Sequence, residues 1–281
     1  MAGRPVHTFA VVRTEHLTRH MVRVVFGGSG EGTGFDTFRP IESTDAYVKL
    51  VFVDDAVDTG TLEQPLTLDS FAALDYTLRT YTVRHADTAR GEITIDFLLH
   101  GDHGVAGPWA ASASPGQRIF VMGPSGAYAP DPAADWHLLA GDEAALPAIS
   151  AALEALPDNA IGQVFLEVAG PEDEIELTAP AGVGITWIHR GGRAELIGDG
   201  SAGDHDPLIA AVTEADWLPG QVQAFIHGEA QAVMHNLRPY IRKVRGVEAT
   251  WASSISGYWR RGRTEETFRQ WKRELAEAEA K

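Results

Sequence analysis

The first half of the chain repeats its apolar residues at every second position. Val22, Val24 and Phe26 recur this way, as do Ile93, Ile95, Phe97 and Leu99 in "GEITIDFLL". A period of two places such residues on one face of a strand. "DAYVKLVFV" and "QRIFVMG" are rich in the β-branched and aromatic residues that favour strands. From the start to about Tyr128 the pattern predicts an antiparallel β-barrel or sandwich. After "GAYAPDPAAD", whose proline and aspartate suit a linker, the period changes. "WHLLAG" reads as a buried strand leading into a helix over 143–156. "QVFLEVAG", "GITWIHR", "DPLIAAVTEA" and "VQAFIHG" follow, then a helix over 229–245. Strands alternating with helices predict a parallel sheet in an α/β domain. The last segment, 264–280, has Phe268, Trp271, Leu275 and Ala278 three or four apart, the spacing of an amphipathic helix, and Glu265 precedes Arg269 by one turn. The domains predicted are 1–129, all β, and 130–281, α/β with a C-terminal helix.

Composition narrows the chemistry. The 281 residues, 44% of them hydrophobic, suffice for two cores. A formal net charge of -16 disfavours general adhesion to nucleic acid or anionic membrane, so an anionic ligand requires a local basic patch. The absence of cysteine removes disulfides, thiolate metal sites and cysteine-ligated iron–sulfur clusters. Eleven histidines show no H-E-x-x-H or similar ligand spacing, and His100 and His103 read as loop hydrogen-bonders. No metal site is expected. Neither the N-terminal stretch nor "AALPAISAALEALP", interrupted by Pro147 and Glu154, forms a leader or a membrane span, and a cytoplasmic protein is expected.

Four stretches carry candidate chemistry. In "LRTYTVR", Arg79 and Tyr81 share one face of a strand, with Thr82 one step on. A flat aromatic ligand bearing a phosphate suits that surface, with Tyr81 stacking on the ring and Arg79 forking onto the phosphate. The plainer alternative is a cross-strand ion pair beside a half-buried tyrosine. "HGDHGVAGPWAASASPG" follows, with Gly101, Gly104, Gly107 and small alanines. Such a loop leaves backbone N–H groups open, and a helical turn over Gly107–Ala111, anchored by Trp109, would add a partial positive charge for a pyrophosphate. A simple connecting loop is the alternative.

In "LLAGDEAALPAI" a strand ends at Gly141 and a helix begins, the arrangement by which α/β domains meet ligands at the carboxyl edge of the sheet. Asp142 and Glu143 there are either capping carboxylates or, for Glu143, an acceptor for an adenine amine or a ribose. No G-x-G-x-x-G follows the strand, so a dehydrogenase-type dinucleotide fold is not supported. "GYWRRGR" joins Tyr258 and Trp259 to Arg260, Arg261 and Arg263. The aromatics can cover a flat ligand ring and the arginines draw in anions, or the segment is a solvated basic face. Arg238, Arg242, Lys243 and Arg245 read as an ordinary solvated helix face. Glu172, Asp173 and Glu174 in "EVAGPEDEIEL" suit a ribose diol and repel a 2′-phosphate, a balance that Arg190 or Arg193 can reverse.

In order and spacing, "RTYTVR", "DFLLHGDHGVAGPWA", "GPSGAY", "GDEAALPAI", "HGEAQAVMHNLRPYIR" and "SGYWRRGRTEE" together resemble the siderophore-interacting proteins, FAD-dependent ferric-siderophore reductases, over nearly the whole chain. The resemblance implies a ferredoxin reductase-like fold, an FAD-binding antiparallel β-barrel followed by a nicotinamide-nucleotide-binding α/β domain. It implies hydride transfer from NADH or NADPH to the flavin and single-electron transfer to Fe(III) held by a siderophore. Carried across, it places flavin and inner phosphate on Arg79, Thr80, Tyr81, Thr82 and Val83, and the pyrophosphate at His100, Gly104, Ala106, Trp109 and Ala110. Asp96, Asp142, Glu143, Ala145, Tyr258 and Trp259 complete the expected cofactor-binding set. Lys49, Arg260 and Arg261 are expected to guide an anionic ferric chelate in an open cleft over the flavin. Ala144 stands where the family pattern has Thr, which removes or replaces a hydroxyl contact. Two other readings remain: a reductase for an oxygenase or for free flavin, and a flavoprotein that carries ferric siderophore without reducing it.

Overall fold

The computed structural model describes residues 4–28, 33–54, 59, 62, 65–101, 104–191 and 206–279. The chain divides into two compact units, one through Ala129 and one from Pro130.

The first unit is a seven-stranded sheet of β1 (Val6–Thr18), β2 (Met21–Gly27), β3 (Tyr47–Val53), β4 (Tyr76–Thr82), β5 (His85–Asp87), β6 (Glu92–Leu98) and β7 (Arg118–Ser125). Their order is β4-β3-β7-β1-β2-β6-β5 and every pairing is antiparallel. β4 also lies against β6, which curls the sheet into a barrel. The period-two residues face inward as expected: Val22, Val24, Phe26, Ile93, Ile95 and Phe97 form the core with Phe9, Val48, Leu50 and Val121. A short helix α1 (Ala106–Ser112) follows β6 and buries Ala106 and Ala110 in the same core. A smaller cluster of Val6, Val51, Leu66, Phe71, Phe120 and Met122 fills the opposite face. The outcome is the barrel, not the sandwich.

The second unit holds β8 (Trp136–Gly141), α2 (Leu146–Ala155), β9 (Ile161–Val168), β10 (Gly182–His189), α3 (Pro207–Glu214), β11 (Val222–Glu229), β12 (Ser254–Trp259) and α4 (Glu265–Glu279). Its sheet runs β10-β9-β8-β11-β12, and all pairings are parallel. The strands move outward to one side from β8 to β10 and resume on the other side with β11, so the order reverses between β8 and β11. In open α/β sheets ligands sit beyond the strand ends at that reversal.

Two helices differ from expectation. α2 starts at Leu146, not at 143, because Asp142 turns the chain: its carbonyl accepts from the N–H groups of both Ala145 and Leu146. The segment predicted as a helix over 229–245 instead continues β11 through Glu229, then winds with wide, π-type turns over Gln231–Leu237 and Tyr240–Val244. α4 matches the predicted amphipathic face, with Phe268 buried and Trp271 and Leu275 packed on the core. Among the described residues no helix is long and apolar enough to cross a membrane.

Candidate functional site

Among the described residues of the barrel unit, β4 ladders only with β3, and its other side lies against β6 without ladder pairing. Arg79 lies opposite Leu50 and Tyr81 opposite Val48, and paired residues in an antiparallel ladder share a face. Both candidate residues therefore project from the face that carries the barrel core, and both remain half-buried. The Tyr81 ring rests on Phe97 with centroids 4.5 Å apart. Arg79 donates from Nη1 to the Leu78 carbonyl at 2.7 Å. Thr80, on the opposite face, accepts from Lys49 Nζ at 2.9 Å. Thr82 is buried opposite Tyr47, and the Val83 N–H donates to the Ala46 carbonyl at 2.7 Å.

The loop after β6 forms the helical turn that its small residues allowed. Trp109 anchors it, with its ring 6.1 Å from Phe26 in a stacked pair, 5.6 Å from Phe52 and 6.0 Å from Phe97. The first turn of α1 has no side-chain cap. Gly104, exposed just before it, has φ +83 and open space where a Cβ would stand. His100 is half-buried in the approach, and His103 lies outside the described residues. Asp96 is committed elsewhere: Arg23 forks onto it with distances of 2.7 and 2.8 Å, directly across the β2–β6 ladder. "GPSGAY" is tied down by Asp45, whose Oδ1 accepts from the N–H groups of Ala127 and Tyr128.

In the second unit the reversal point is built from glycine and buried charge. A Cβ on Gly141 would come within 2.5 Å of Ala145 Cβ and 2.6 Å of the His227 carbonyl, so β8 and β11 approach this closely only with glycine there. Asp142 accepts from the Ala144 N–H at 2.9 Å through Oδ1 and from Trp259 Nε1–H at 2.6 Å through Oδ2. Burial, reinforced by the charge of Glu143, pushes the Asp142 carboxyl up to about 7. Trp259 thus reaches from the end of β12 past β11 to the β8–α2 turn. His227 on β11 is buried, lies with its ring 4.3 Å from that of Tyr258 in a tilted pair, and bonds through Nδ1 to the Ser256 carbonyl and through Nε2 to Ser254 Oγ. Burial pulls its pKa down to about 3, so the ring is neutral and Nδ1–H is the donor to the carbonyl.

Beside this point lies an acidic network with one arginine. Arg190, just past β10, donates from Nη1 to Glu143 Oε2 at 2.8 Å, brings Nη2 to 2.7 Å from Glu143 Oε1, and lies 3.5 Å from Glu167. Glu167 and Asp206 both accept from the Leu208 N–H, Asp206 as the N-cap of α3. Burial and the neighbouring Asp206 raise the Glu167 pKa strongly, so Glu167 keeps its proton at neutral pH. Glu229 caps the segment after β11 by accepting from the Gln231 and Ala232 N–H groups, and it also accepts from the Arg261 N–H.

The structure therefore gathers Arg79, Tyr81, Trp109, Ala106 and Ala110 in the barrel unit, and Asp142, Glu143, Ala145, Tyr258 and Trp259 at the carboxyl edge of the other. Arg260 is held by Gln231 Oε1 at 3.1 Å and lies 4.3 Å over the Trp271 ring. The basic cluster of 238–245 is partly structural: Arg242 donates to the Ala252 carbonyl, and Arg245 lies over Trp217 and Tyr240. Glu167, Asp206, His227 and Glu229 were not anticipated. A charged or polar residue inside the apolar runs "QVFLEV" and "AFIHGE" was the available signal.

Residues 10–128 match the family model described as the siderophore-interacting FAD-binding domain, and residues 134–262 match that of the siderophore-interacting protein. The chain belongs to the siderophore-interacting protein family. It is 69% identical to an uncharacterized protein of Mycobacterium tuberculosis, over 100% of this chain and 99% of that one. It is 31% identical to ferric vibriobactin reductase ViuB of Vibrio cholerae, over 92% of this chain and 91% of that one. Among solved structures, a siderophore utilization protein from T. fusca superposes with a TM-score of 0.75 at 35% identity, covering 94% of this chain and 96% of the other. A ferredoxin reductase in carbazole 1,9a-dioxygenase, at 16% identity and a TM-score of 0.60 over 88% of this chain and 67% of the other, shares the fold alone. The siderophore-interacting fold is thus ferredoxin reductase-like.

Proposed function

We propose that this siderophore-interacting protein is an FAD-dependent ferric-siderophore reductase that takes electrons from NADH or NADPH and releases siderophore-bound iron as Fe(II) for assimilation in the cytoplasm. The observation that carries the reading is Arg79 beside Tyr81 on β4 of a unit matched to an FAD-binding domain, in one chain with a parallel sheet whose strand order reverses at Gly141. The 31% identity to a ferric vibriobactin reductase supports the choice of substrate.

The barrel residues fit FAD. Tyr81 offers a half-buried ring and Arg79 a guanidinium on the same face, while the uncapped first turn of α1, entered through an unobstructed Gly104, offers backbone N–H groups to a pyrophosphate. When bound, the flavin supplies hydride acceptance and one-electron delivery, chemistry that no side chain of this protein offers. Arg79 holds phosphate, Tyr81 and Trp109 shape the apolar side of the site, and the β8–β11 edge with Trp259 and Tyr258 orients the nicotinamide nucleotide. Lys49 in the first unit, and Arg260 and Arg261 in the second, are each a source of local positive charge for an anionic ligand in a protein whose net charge is -16. The ferric siderophore is the substrate, and weaker binding of Fe(II) by hard oxygen donors drives release.

The test is anaerobic turnover of FAD-loaded protein with NADH or NADPH, a ferric siderophore and a chromophoric chelator selective for Fe(II). Nucleotide-dependent colour is expected. Its absence with several chemically distinct siderophores would overturn the reading.

A further inference from the structure

We infer that Arg190 decides whether a nucleotide carrying a 2′-phosphate is accepted, and that Glu143 holds it in the refusing state. The inference rests on the nucleotide-reductase reading above. Arg190 follows the last residue of β10, and the backbone continues to pair with β9 there: the N–H groups of Arg190 and Gly191 donate to the carbonyls of Val168 and Ala169. This places the arginine at the carboxyl edge of the sheet, on the side of the reversal point where the adenosine ribose of a dinucleotide lies.

A 2′-phosphate at that edge needs a guanidinium whose charge is not already matched. Arg190 is already matched. The Glu143 carboxylate takes it at 2.7 and 2.8 Å, and the protonated Glu167, 3.5 Å away, adds a polar neighbour without a second charge. The Arg190 side chain is only 21% exposed, so this ion pair is not a floppy surface one. The first acid in the turn after β9 adds to the field. The Glu172 carboxylate folds over Gly170, one residue beyond Ala169, where a Cβ on the glycine would meet its Oε2 at 2.7 Å. His189, the neighbouring basic residue, is taken by Glu174 at 2.7 Å. The edge therefore presents satisfied cations and surplus carboxylate, which suits the two hydroxyls of an unphosphorylated ribose and repels a phosphate dianion. Glu143→Gln removes the negative charge of the pair, and leaves Arg190 with donors and positive charge to offer.

The experiment titrates 5′-AMP and adenosine 2′,5′-bisphosphate by calorimetry into FAD-loaded protein, which reads the ribose subsite without electron transfer. Wild type should bind 5′-AMP at least about tenfold more tightly, a difference of about 1.4 kcal/mol. Glu143→Gln should narrow that gap at least about fivefold by gaining affinity for the bisphosphate, and the Glu143→Gln/Arg190→Gln double variant should lose the gain. Equal or tighter wild-type binding of the bisphosphate overturns the proposal without any variant. So does a Glu143→Gln gain that survives in the double variant, since it would then come from lost repulsion and not from Arg190. Failure of either nucleotide to bleach the flavin would sink the reductase reading, while the AMP comparison still decides this one.

Discussion

Arg79 and Tyr81 earn their place through geometry that two substitutions can separate from strand structure. If Arg79 forks onto an FAD phosphate, Arg79→Ala removes a contact worth about 1.5–3 kcal/mol and should weaken FAD binding by roughly ten- to a hundredfold, with little change in apoprotein unfolding. Near wild-type FAD affinity with altered apoprotein stability would make it a strand brace. Tyr81→Ala should likewise weaken FAD binding and perturb the flavin spectrum, whereas Tyr81→Phe keeps the ring on Phe97 and should retain most of both. A second residue-scale prediction concerns pH. Asp142 titrates near 7 in the native state and near 3.8 in the unfolded chain, so between those values the native state binds the extra proton and stability falls as pH rises. His227, lowered from 6.5 to about 3, works in the opposite sense, and its contribution is lost as pH falls through that window. Asp142→Asn should therefore gain on wild type by about 1–3 kcal/mol between pH 5 and pH 7.5 in denaturant unfolding. A difference from wild type that is the same at both pH values would contradict the burial of that charge. That Arg79 and Tyr81 share a face was legible because it follows from strand periodicity alone. Arg190, Glu167 and Asp206 were not assembled in advance, because only strand order brings β8, β9, β10 and the start of α3 to one edge.

At the scale of elements, the barrel strands were readable because one face of each is buried in a core and the other is not, which writes a period of two into β2 and β6. α4 was readable for the same reason at a helical period. The start of α2 was not: Asp142 bonds its own loop, so the acidic residues that looked like a helix N-terminus form the turn before it. The segment after Glu229 was blurred because the Glu229 carboxylate caps a helical stretch from within the preceding strand. Glycine substitutions test the close approach of β8 and β11. Gly141→Ala places a Cβ 2.5 Å from Ala145 Cβ and 2.6 Å from a β11 carbonyl, and should cost at least about 2 kcal/mol in unfolding free energy. Gly184→Ala, in β10 with nothing within 4 Å, should be neutral or gain about 0.4–1 kcal/mol. Equal effects of the two would mean that the strand ends are not packed as described.

For the whole molecule, the account joins a flavin-holding barrel to a nucleotide-holding parallel sheet in a chain with no cysteine and a net charge of -16. Purified protein should be yellow, and denaturation should release FAD into the supernatant; colour that stays with the precipitated chain would contradict noncovalent binding. The most direct test of the central claim is an anaerobic spectrum of the FAD-loaded protein taken in two steps, first with NADH or NADPH and then with a ferric siderophore. The account predicts bleaching of the flavin band by the nucleotide, followed by its return on addition of the ferric chelate, with two equivalents of Fe(III) consumed per flavin. A flavin that nucleotide does not bleach, or that stays bleached in the presence of ferric siderophore, would contradict it.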